Sequence, residues 1–317
     1  MRQNDKELNY TYYRPLAEQS AYPAYPWPYY LTPVYSAEMR WDQTNYPHDP
    51  SHLPTAPIAP SGFINQEDYW ERQQPLTFVL IHGSWADSSF WNGIANELRK
   101  KGHTVYTPEY PGHGADPNKD VSHSMMTKSI ADFIISKNLH NVILLGHSFG
   151  GTLVQKVAEL VPDRLKRLVF LNAFVLNDGQ NLGDELPAPV RNVFVGLAQN
   201  SKDNTIMLPF PLYRDAFANL ASLELVQQMY NEISPEPAKP LLENLNLKKF
   251  YSLNIPKSYI YLTVDNALPQ GEGFGWHPHM SSRLGLFRLI KGHGDHMSTV
   301  KTEPKMLAQK IYEASRD

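Results

Sequence analysis

Cysteine is absent from the 317-residue sequence. Its absence excludes disulfide bonds, thiolate catalysis, and zinc or iron–sulfur sites with cysteine ligands. Long apolar runs are also missing, since none approaches the roughly 18 residues of a membrane-spanning helix. The polar opening sequence MRQNDKE predicts that no signal peptide is cleaved. We therefore expect a soluble, cytoplasmic protein.

A strong excess of charge of either sign is lacking too. The chain carries 29 Lys and Arg residues against 32 Asp and Glu residues, with a formal net charge of -3. Nucleic-acid-binding domains usually present a strongly basic surface, so we expect no nucleic-acid partner. Hydrophobic residues make up 42% of the chain, and its length suits one large domain or two small ones.

Residues 1–74 differ in composition from the rest of the chain. They hold ten of the 26 prolines and ten of the 18 tyrosines, with five Lys or Arg against nine Asp or Glu residues. Proline at this density interrupts helix and strand patterns, whereas so many aromatic residues are unusual for a disordered tail. We predict a Pro/Tyr-rich N-terminal extension that wraps on the folded domain or on another chain, and expect any homo-oligomer or surface association to form through it. The alternative is a disordered or polyproline-II-like tail.

Residues 75–317 alternate between strand and helix patterns. Short apolar runs predict strands at 76–82, 104–107, 142–145, 168–172, 258–263 and 286–290. Amphipathic patterns predict helices at 90–101, 122–137, 151–160, 223–233 and 299–315. This alternation predicts an α/β fold with a doubly wound, mostly parallel sheet, which binds ligands beyond the carboxyl ends of its strands.

The alternation stops between about residues 177 and 254. Gly and Pro clusters such as Leu186-Pro187-Ala188-Pro189 separate short helical pieces there. The stretch is long for a crossover connection and rich in apolar residues. We predict that it is a cap, inserted into the domain over the active edge of the sheet.

A G-x-S-x-G pattern, Gly146-His147-Ser148-Phe149-Gly150, lies between a buried strand and a helix. This strand–turn–helix context is the one in which the pattern presents a nucleophilic serine. Gly146 and Gly150 permit a sharp turn, and the Phe149 amide at the helix N-terminus can face a developing oxyanion. Ser148 is therefore the candidate nucleophile, unless the small residues only allow a helix to pack closely on the sheet.

A serine nucleophile needs a base, and the base needs an orienting acid. Where G-x-S-x-G occurs, the acid follows the serine in the chain and the histidine follows the acid. Asp265 comes just after the strand at 258–263, and His296 lies in the loop after the last strand. We predict that Asp265 is the acid and His296 is the base.

Other residues could fill these roles. His293 is an alternative base, and Asp178 or Asp184 is an alternative acid, because both aspartates follow the strand after the nucleophile. A metal site formed by His293, Asp295 and His296 is a further alternative, although Asp295 fits better as a loop or capping residue.

The loop after the first core strand should supply the second oxyanion donor. It reads His82-Gly83-Ser84-Trp85. Gly83 allows close approach, so the backbone N–H of Ser84 is the candidate donor beside that of Phe149. We interpret His82 as a structural hydrogen-bonding residue beneath the site and His113, in Pro-Gly-His-Gly, as a turn residue.

Five motifs together resemble the α/β-hydrolase superfamily over residues 76–314. They are VLIHGSW, PGHG, GHSFGG, YIYLTVDNALP and GDHM. More narrowly, they look like the group that contains plant hydroxynitrile lyases, methylesterases of salicylate and jasmonate esters, and bacterial pyrethroid-hydrolysing carboxylesterases. The resemblance implies an α/β-hydrolase core at 75–317 with a Ser-His-Asp triad and no cofactor or metal.

Two positions separate lyases from esterases within that group. The similar hydroxynitrile lyases carry threonine after the first histidine and lysine after the catalytic histidine, whereas this chain has Gly83 and Met297 there, as the esterases do. We therefore expect a carboxylesterase that acts on small to medium, uncharged hydrophobic or aromatic esters. The alternatives are a lactone hydrolase with the same triad and a non-catalytic binding or structural protein that retains the fold.

Overall fold

A six-stranded parallel sheet forms the centre of the molecule. The computed structural model describes residues 74–271 and 273–317. The strand order is β2-β1-β3-β4-β7-β8, and every neighbouring pair is parallel. The strands are β1 Thr77–Ile81, β2 Thr104–Tyr106, β3 Val142–Ser148, β4 Leu165–Ala173, β5 Thr205–Ile206, β6 Glu236–Pro237, β7 Lys257–Leu262 and β8 Arg288–Gly292. The predicted α/β fold class is confirmed.

Helices cover both faces of this sheet. The α-helices of the described residues, including those of the segment 177–254, are α1 Asn92–Lys100, α2 His123–Ser136, α3 Gly150–Leu160, α4 Ala188–Asn200, α5 Phe210–Leu212, α6 Leu223–Glu232, α7 Ala238–Leu242, α8 Lys248–Ser252, α9 Ser298–Thr302 and α10 Pro304–Ser315. Helix α10 packs on α1, whereas α2 packs on α3. With helices on both sides, β3 is buried along its whole length and reads as a continuous apolar run.

The strand order places the site between β1 and β3. The chain goes from β1 to β2 on one side and then returns to β3 on the other side of β1. Such a reversal leaves a crevice at the carboxyl ends of the two strands, where α/β proteins bind ligands. The loop that begins at His82 and the turn at Ser148 both lie at this crevice.

Most predicted elements begin and end within a few residues of the observed ones. Two differences near the end of the chain have a clear physical cause. Strand β8 begins at Arg288 rather than at residue 286, and Leu286 is 98% exposed, because pairing with β7 starts at Arg288. The predicted helix at 299–315 is split, since Glu303 leaves the helical conformation (φ -127°) and Pro304 starts a new helix as its first residue.

The segment from 177 to 254 contacts the loops at the carboxyl edge of the sheet. It contains α4 to α8 and the antiparallel pair β5–β6. The backbone N–H of Met297 donates to Phe217 O at 2.8 Å, and the N–H of Leu220 donates to Asp295 at 2.9 Å. The indole N–H of Trp85 donates to Ile206 O at 2.8 Å. This part of the chain is therefore fastened to the loop of His296 and to the loop after β1.

Predictions for the N-terminal extension, up to residue 73, lie outside the described residues. Among the helices that the structure describes, none has the length and hydropathy needed to cross a membrane.

Close packing at the start of α3 permits a stability test. A Cβ added at Gly151 would lie 2.3 Å from Phe174 O and 2.8 Å from the Cβ of Ala173, whereas one at Gly196 in α4 would meet nothing within 4 Å. Because backbone cannot move aside cheaply, we expect Gly151→Ala to lower the free energy of unfolding by about 3 kcal/mol. We expect Gly196→Ala to raise it by about 1 kcal/mol. Chemical denaturation measures both, and equal effects would contradict the packing described.

Candidate active site

Ser148 ends β3 in a conformation that few non-glycine residues adopt. Its φ is +52°, in the left-handed region. A Cβ added at Gly146 would lie 2.4 Å from Gly150 O, and one added at Gly150 would lie 2.6 Å from His82 O. The two glycines therefore let the chain turn tightly enough to place Ser148 at the tip, with Phe149 as the N-cap of α3.

His296 and Asp265 form a buried hydrogen-bonded pair. The Nδ1 atom of His296 is 2.6 Å from Asp265 Oδ2, and the two residues are 1% and 2% exposed. The Oδ1 atom of Asp265 accepts the backbone N–H of Ala267 at 2.8 Å. The carboxylate is thus fixed on both oxygens, and Nε2 is left as the nitrogen of His296 that can serve as a base.

Asn172 is a second anchor of Asp265 that the sequence reading missed. It lies near the end of β4, and its Nδ2 atom donates to Asp265 Oδ2 at 2.5 Å and to Leu262 O at 3.2 Å. Its Oδ1 atom accepts the N–H of Leu262 at 2.7 Å. Asn172 therefore ties β4 to the end of β7 and orients the carboxylate. The only signal in the sequence is a polar residue that closes an apolar strand.

Asp295 and His293, the alternative residues in the loop of His296, have surroundings different from those of His296. The carboxylate of Asp295 accepts the N–H groups of Leu220 and Thr299 and the Ser298 hydroxyl, so it caps the start of α9. His293 is exposed. Across the described residues, 74–271 and 273–317, no group of three His, Asp or Glu side chains is arranged to hold a metal ion.

The two alternative acids, Asp178 and Asp184, lie near the start of the 177–254 segment. The Asp178 carboxylate accepts the N–H of Leu247 at 2.8 Å. Asp184 forms a capping box with Asn181 and an ion pair with Arg191 at 3.4 Å. Both carboxylates therefore have local structural partners.

The loop after β1 runs directly beside the turn at Ser148. A Cβ added at Gly83 would lie 2.7 Å from the Cβ of Ser148, so only glycine fits without a shift. Ser84 follows and is 5% exposed. The ring of His82 stacks on Tyr110 with centroids 4.2 Å apart and hydrogen-bonds Glu109 through Nε2 at 2.7 Å.

Glu109 carries a charge close to this loop. Burial disfavours its ionisation, but hydrogen bonds from His82 and from the backbone N–H of Ser88, with the nearby His113, hold the pKa of Glu109 at about 2. Glu109 is therefore a carboxylate throughout the neutral range. It anchors both His82 and Ser88 beneath the loop.

Aromatic rings surround His296. The Trp276 ring is stacked on it with centroids 5.2 Å apart, Phe217 meets it edge-on at 5.4 Å, and His147 lies 4.5 Å away. Burial, and then the proximity of His296, lower the pKa of His147 well below its usual value. The Nε1–H of Trp276 and the hydroxyl of Tyr213 have no hydrogen-bond partner among the described residues.

His123 behind the turn makes stability depend on pH. The Thr152 hydroxyl donates to Phe149 O at 2.8 Å and therefore accepts from His123 Nε2 at 2.9 Å. Burial lowers the pKa of His123 from 6.5 to about 3. Below pH 6.5 the unfolded chain binds a proton at His123 that the native state does not bind. The contribution of the neutral His123 to the free energy of unfolding is therefore complete above pH 6.5 and is lost as the pH falls towards 3.

The corresponding test compares stability at pH 7.5 and pH 5. Between pH 7.5 and pH 5, we expect the free energy of unfolding to fall by about 2 kcal/mol less in His123→Gln than in the wild type. The glutamine amide can still donate to Thr152, so the hydrogen bond itself is kept. The exposed His140 provides the control, and His140→Gln should keep the wild-type dependence. Denaturant titrations at the two pH values measure the difference, and an unchanged dependence in His123→Gln would contradict the assignment.

The parallel sheet, the left-handed serine at the end of β3 and the buried histidine–carboxylate pair together define a class of protein. A family model described as "Alpha/beta hydrolase family" matches residues 78–297. The chain belongs to this family. The resemblance read from its motifs is confirmed.

Curated relatives include two esterases. A carbendazim hydrolyzing esterase from Nocardioides sp. (strain SG-4G) is 33% identical over 144 residues, which cover 42% of this chain and 60% of the relative. Putative methylesterase 11, chloroplastic, from Arabidopsis thaliana is 27% identical over 225 residues, which cover 67% of this chain and 58% of the relative. The chain therefore spans less than two thirds of the length of these relatives.

Solved structures give a similar result. An extracellular α/β-hydrolase from a Paenibacillus species, described as sharing structural and functional homology to tobacco Salicylic Acid Binding Protein 2, is 59% identical with a TM-score of 0.76. The match covers 77% of this chain and 100% of that one. Polyneuridine aldehyde esterase, at 17% identity and a TM-score of 0.60, shares the fold, with 77% and 100% covered. Because the Paenibacillus protein is described as extracellular, the cytoplasmic location stays a prediction.

Proposed function

We propose that this protein is a serine esterase that works through an acyl-enzyme. The observation that carries the proposal is the buried contact of 2.6 Å between His296 Nδ1 and Asp265 Oδ2. Ser148 is held in the left-handed conformation at the end of β3, and the ring of the preceding residue, His147, lies 4.5 Å from that of His296. A histidine oriented in this way can take a proton from a serine hydroxyl, which is otherwise a weak nucleophile.

The reaction proceeds in two similar halves. The Ser148 hydroxyl attacks the ester carbonyl carbon while His296 Nε2 takes its proton and Asp265 stabilises the imidazolium. The backbone N–H groups of Ser84 and Phe149 donate to the oxygen of the tetrahedral intermediate. The alcohol leaves with the proton from His296, and water then attacks the acyl-enzyme by the same route and releases the acid.

The surroundings of the triad favour an uncharged, apolar or aromatic ester. Trp276 and Phe217 flank His296, and Trp85 lies edge-on to Phe217 at 5.4 Å and to Phe194 at 5.8 Å. Sites lined in this way bind apolar ligands and use a few polar groups for orientation. The names of the relatives, a carbendazim hydrolyzing esterase and a putative methylesterase, are consistent with such small esters.

We further propose that residues 75–317 form the hydrolase domain and that residues 177–254 act as its cap. Phe194 and Phe217 reach the site from this segment, so it would determine which substrates fit. Any association through residues 1–74 is a separate proposal. Limited proteolysis within those residues should leave the kcat unchanged if they serve attachment alone.

A partitioning experiment tests the acyl-enzyme. Esters of one acid with several different alcohols are hydrolysed in the presence of added methanol, which competes with water. If all the esters pass through one acyl-enzyme, the ratio of methyl ester to free acid must be the same for every leaving group. A ratio that changes with the leaving group would mean direct attack by water and would contradict the proposal. A lactone tested alongside shows whether cyclic esters are also substrates.

A further inference from the structure

Trp85 follows the candidate oxyanion donor Ser84 and has an unusual backbone conformation, which is held by hydrogen bonds to the 177–254 segment. Its φ is +62°, in the left-handed region that favours glycine. Its backbone N–H donates to Glu236 Oε2 at 2.8 Å, its indole N–H donates to Ile206 O at 2.8 Å, and its carbonyl accepts the N–H of Ser234 at 3.2 Å. All three partners lie in the 177–254 segment. Such a backbone conformation persists only when its surroundings over-determine it.

Glu236 is a fully buried acidic residue that links Trp85 to His113 through Oε2, while its Oε1 atom has no hydrogen-bond partner among the described residues. It is 0% exposed, and Oε2 also lies 2.9 Å from His113 Nε2. The other ring nitrogen of His113 is 3.3 Å from Pro111 O, so both nitrogens face acceptors, as in an imidazolium. Burial opposes this charge, but Glu236 and the Pro111 carbonyl raise the pKa of His113 overall. The pair spans from the loop after β2 to strand β6.

The loop after β1, which carries Gly83, Ser84 and Trp85, is therefore fixed on both sides. On the inner side, Gly83 touches the turn at Ser148 so closely that a Cβ would lie 2.7 Å from the serine Cβ. On the outer side, Glu236 holds the peptide group that joins Ser84 to Trp85. Because a peptide group is planar, holding its N–H fixes the direction in which the chain leaves Ser84.

We propose that Glu236 is a positioning residue for catalysis, which acts through Trp85 to keep the Ser84 N–H directed at the oxyanion; this rests on the proposed esterase function. An oxyanion donor stabilises the transition state only when it is already in place, because reorganisation during the reaction forfeits the gain. The carboxylate comes from the segment proposed as the cap, so the docking of that segment and the assembly of the oxyanion hole are one event.

The test compares two buried carboxylates that each accept a backbone N–H. Glu236 accepts from Trp85, and Glu159, at the end of α3, accepts from Phe250 at 2.9 Å. We expect Glu236→Ala to lower the kcat for a p-nitrophenyl ester about 30- to 100-fold with KM changed less than threefold, since losing one oxyanion donor outright costs about 10²- to 10³-fold. We expect Glu236→Gln, which keeps one acceptor oxygen but not the carboxylate, to lower the kcat about five- to tenfold. Glu159→Gln should leave the kcat unchanged.

A second measurement separates positioning from loss of stability. A trifluoromethyl ketone forms a tetrahedral adduct with the serine, and its oxygen must be held by the same donors. Its affinity should fall in the Glu236 variants by the same factor as kcat/KM, and should be unchanged in Glu159→Gln. If Glu236→Ala does not fold, Glu236→Gln carries the comparison.

Two results would overturn the inference. One is an unchanged kcat and an unchanged affinity for the ketone in folded Glu236 variants. The other is an equal loss in Glu159→Gln. A wild-type protein that neither hydrolyses esters nor binds the ketone would instead overturn the proposed function, so the two failures are distinguishable.

Discussion

Replacing His296 by alanine is expected to lower the kcat for ester hydrolysis by about 10⁵-fold. Without the imidazole, nothing at the site accepts the Ser148 proton or returns it to the leaving alcohol. Binding depends on the surrounding apolar residues rather than on the base, so KM should change little. Steady-state kinetics with a p-nitrophenyl ester, at enzyme concentrations high enough to detect the residual rate, measure both quantities.

His293 provides the matched control for this prediction. It lies three residues away in the same loop and is exposed. We expect His293→Ala to keep kcat within about twofold of the wild type, because surface substitutions away from a site have small effects. If His293→Ala lost activity and His296→Ala kept it, the base would be assigned to the wrong histidine.

Asp265→Asn is expected to lower kcat by about 10³- to 10⁴-fold while the protein remains folded. In the wild type, Oδ2 accepts from both His296 and Asn172, and Oδ1 accepts from the N–H of Ala267. An amide has one acceptor oxygen, so its NH₂ group must face one of these donors in either orientation. If the amide faces His296, the ring turns to the tautomer in which Nε2 carries the proton and cannot act as the base.

The tautomer change gives this prediction a distinctive signature. Because His296 would remain in place, the kcat of Asp265→Asn should recover partly at high pH, when hydroxide can replace the general base. Asp184→Asn is the control, since Asp184 caps a turn and pairs with Arg191. An active Asp265→Asn and an inactive Asp184→Asn would contradict the assignment of the acid.

The core of the fold could be predicted because its signals are local. Strands β1, β3 and β4 are apolar runs next to glycine or polar residues, and helix α2 has apolar residues at helical spacing with Ser122 as its N-cap. The end of the chain was harder to predict. Leu286 belongs to an apolar run by sequence but lies before the first pairing with β7, and register between distant strands leaves no local mark.

In the candidate site too, some residues could be predicted from local sequence signals and others could not. Ser148, Asp265 and His296 each stand at a fixed place relative to a strand, so the motif and the chain order predict them as candidates. Asn172 and Glu236 could not be found by this route. Each forms a hydrogen bond with a residue far away in sequence, 93 positions for Asn172 and Asp265 and 151 for Glu236 and Trp85. Only the folded chain brings these partners together.

His113 illustrates a partial success. Its sequence, Pro-Gly-His-Gly, predicts a turn, and Gly112 does have a positive φ of 87°. The ring, however, is 1% exposed and pairs with Glu236. A turn motif predicts the backbone conformation but not what the side chain meets, since that depends on a segment more than a hundred residues further along the chain.

Labelling with a fluorophosphonate tests the central claim most directly. The probe reacts with a serine only when a base and an oxyanion hole activate it. Intact-mass measurement should find one adduct on the wild type and none on Ser148→Ala, with both proteins folded by circular dichroism. An unlabelled, folded wild type, or an adduct that persists in Ser148→Ala, would contradict a nucleophilic role for Ser148.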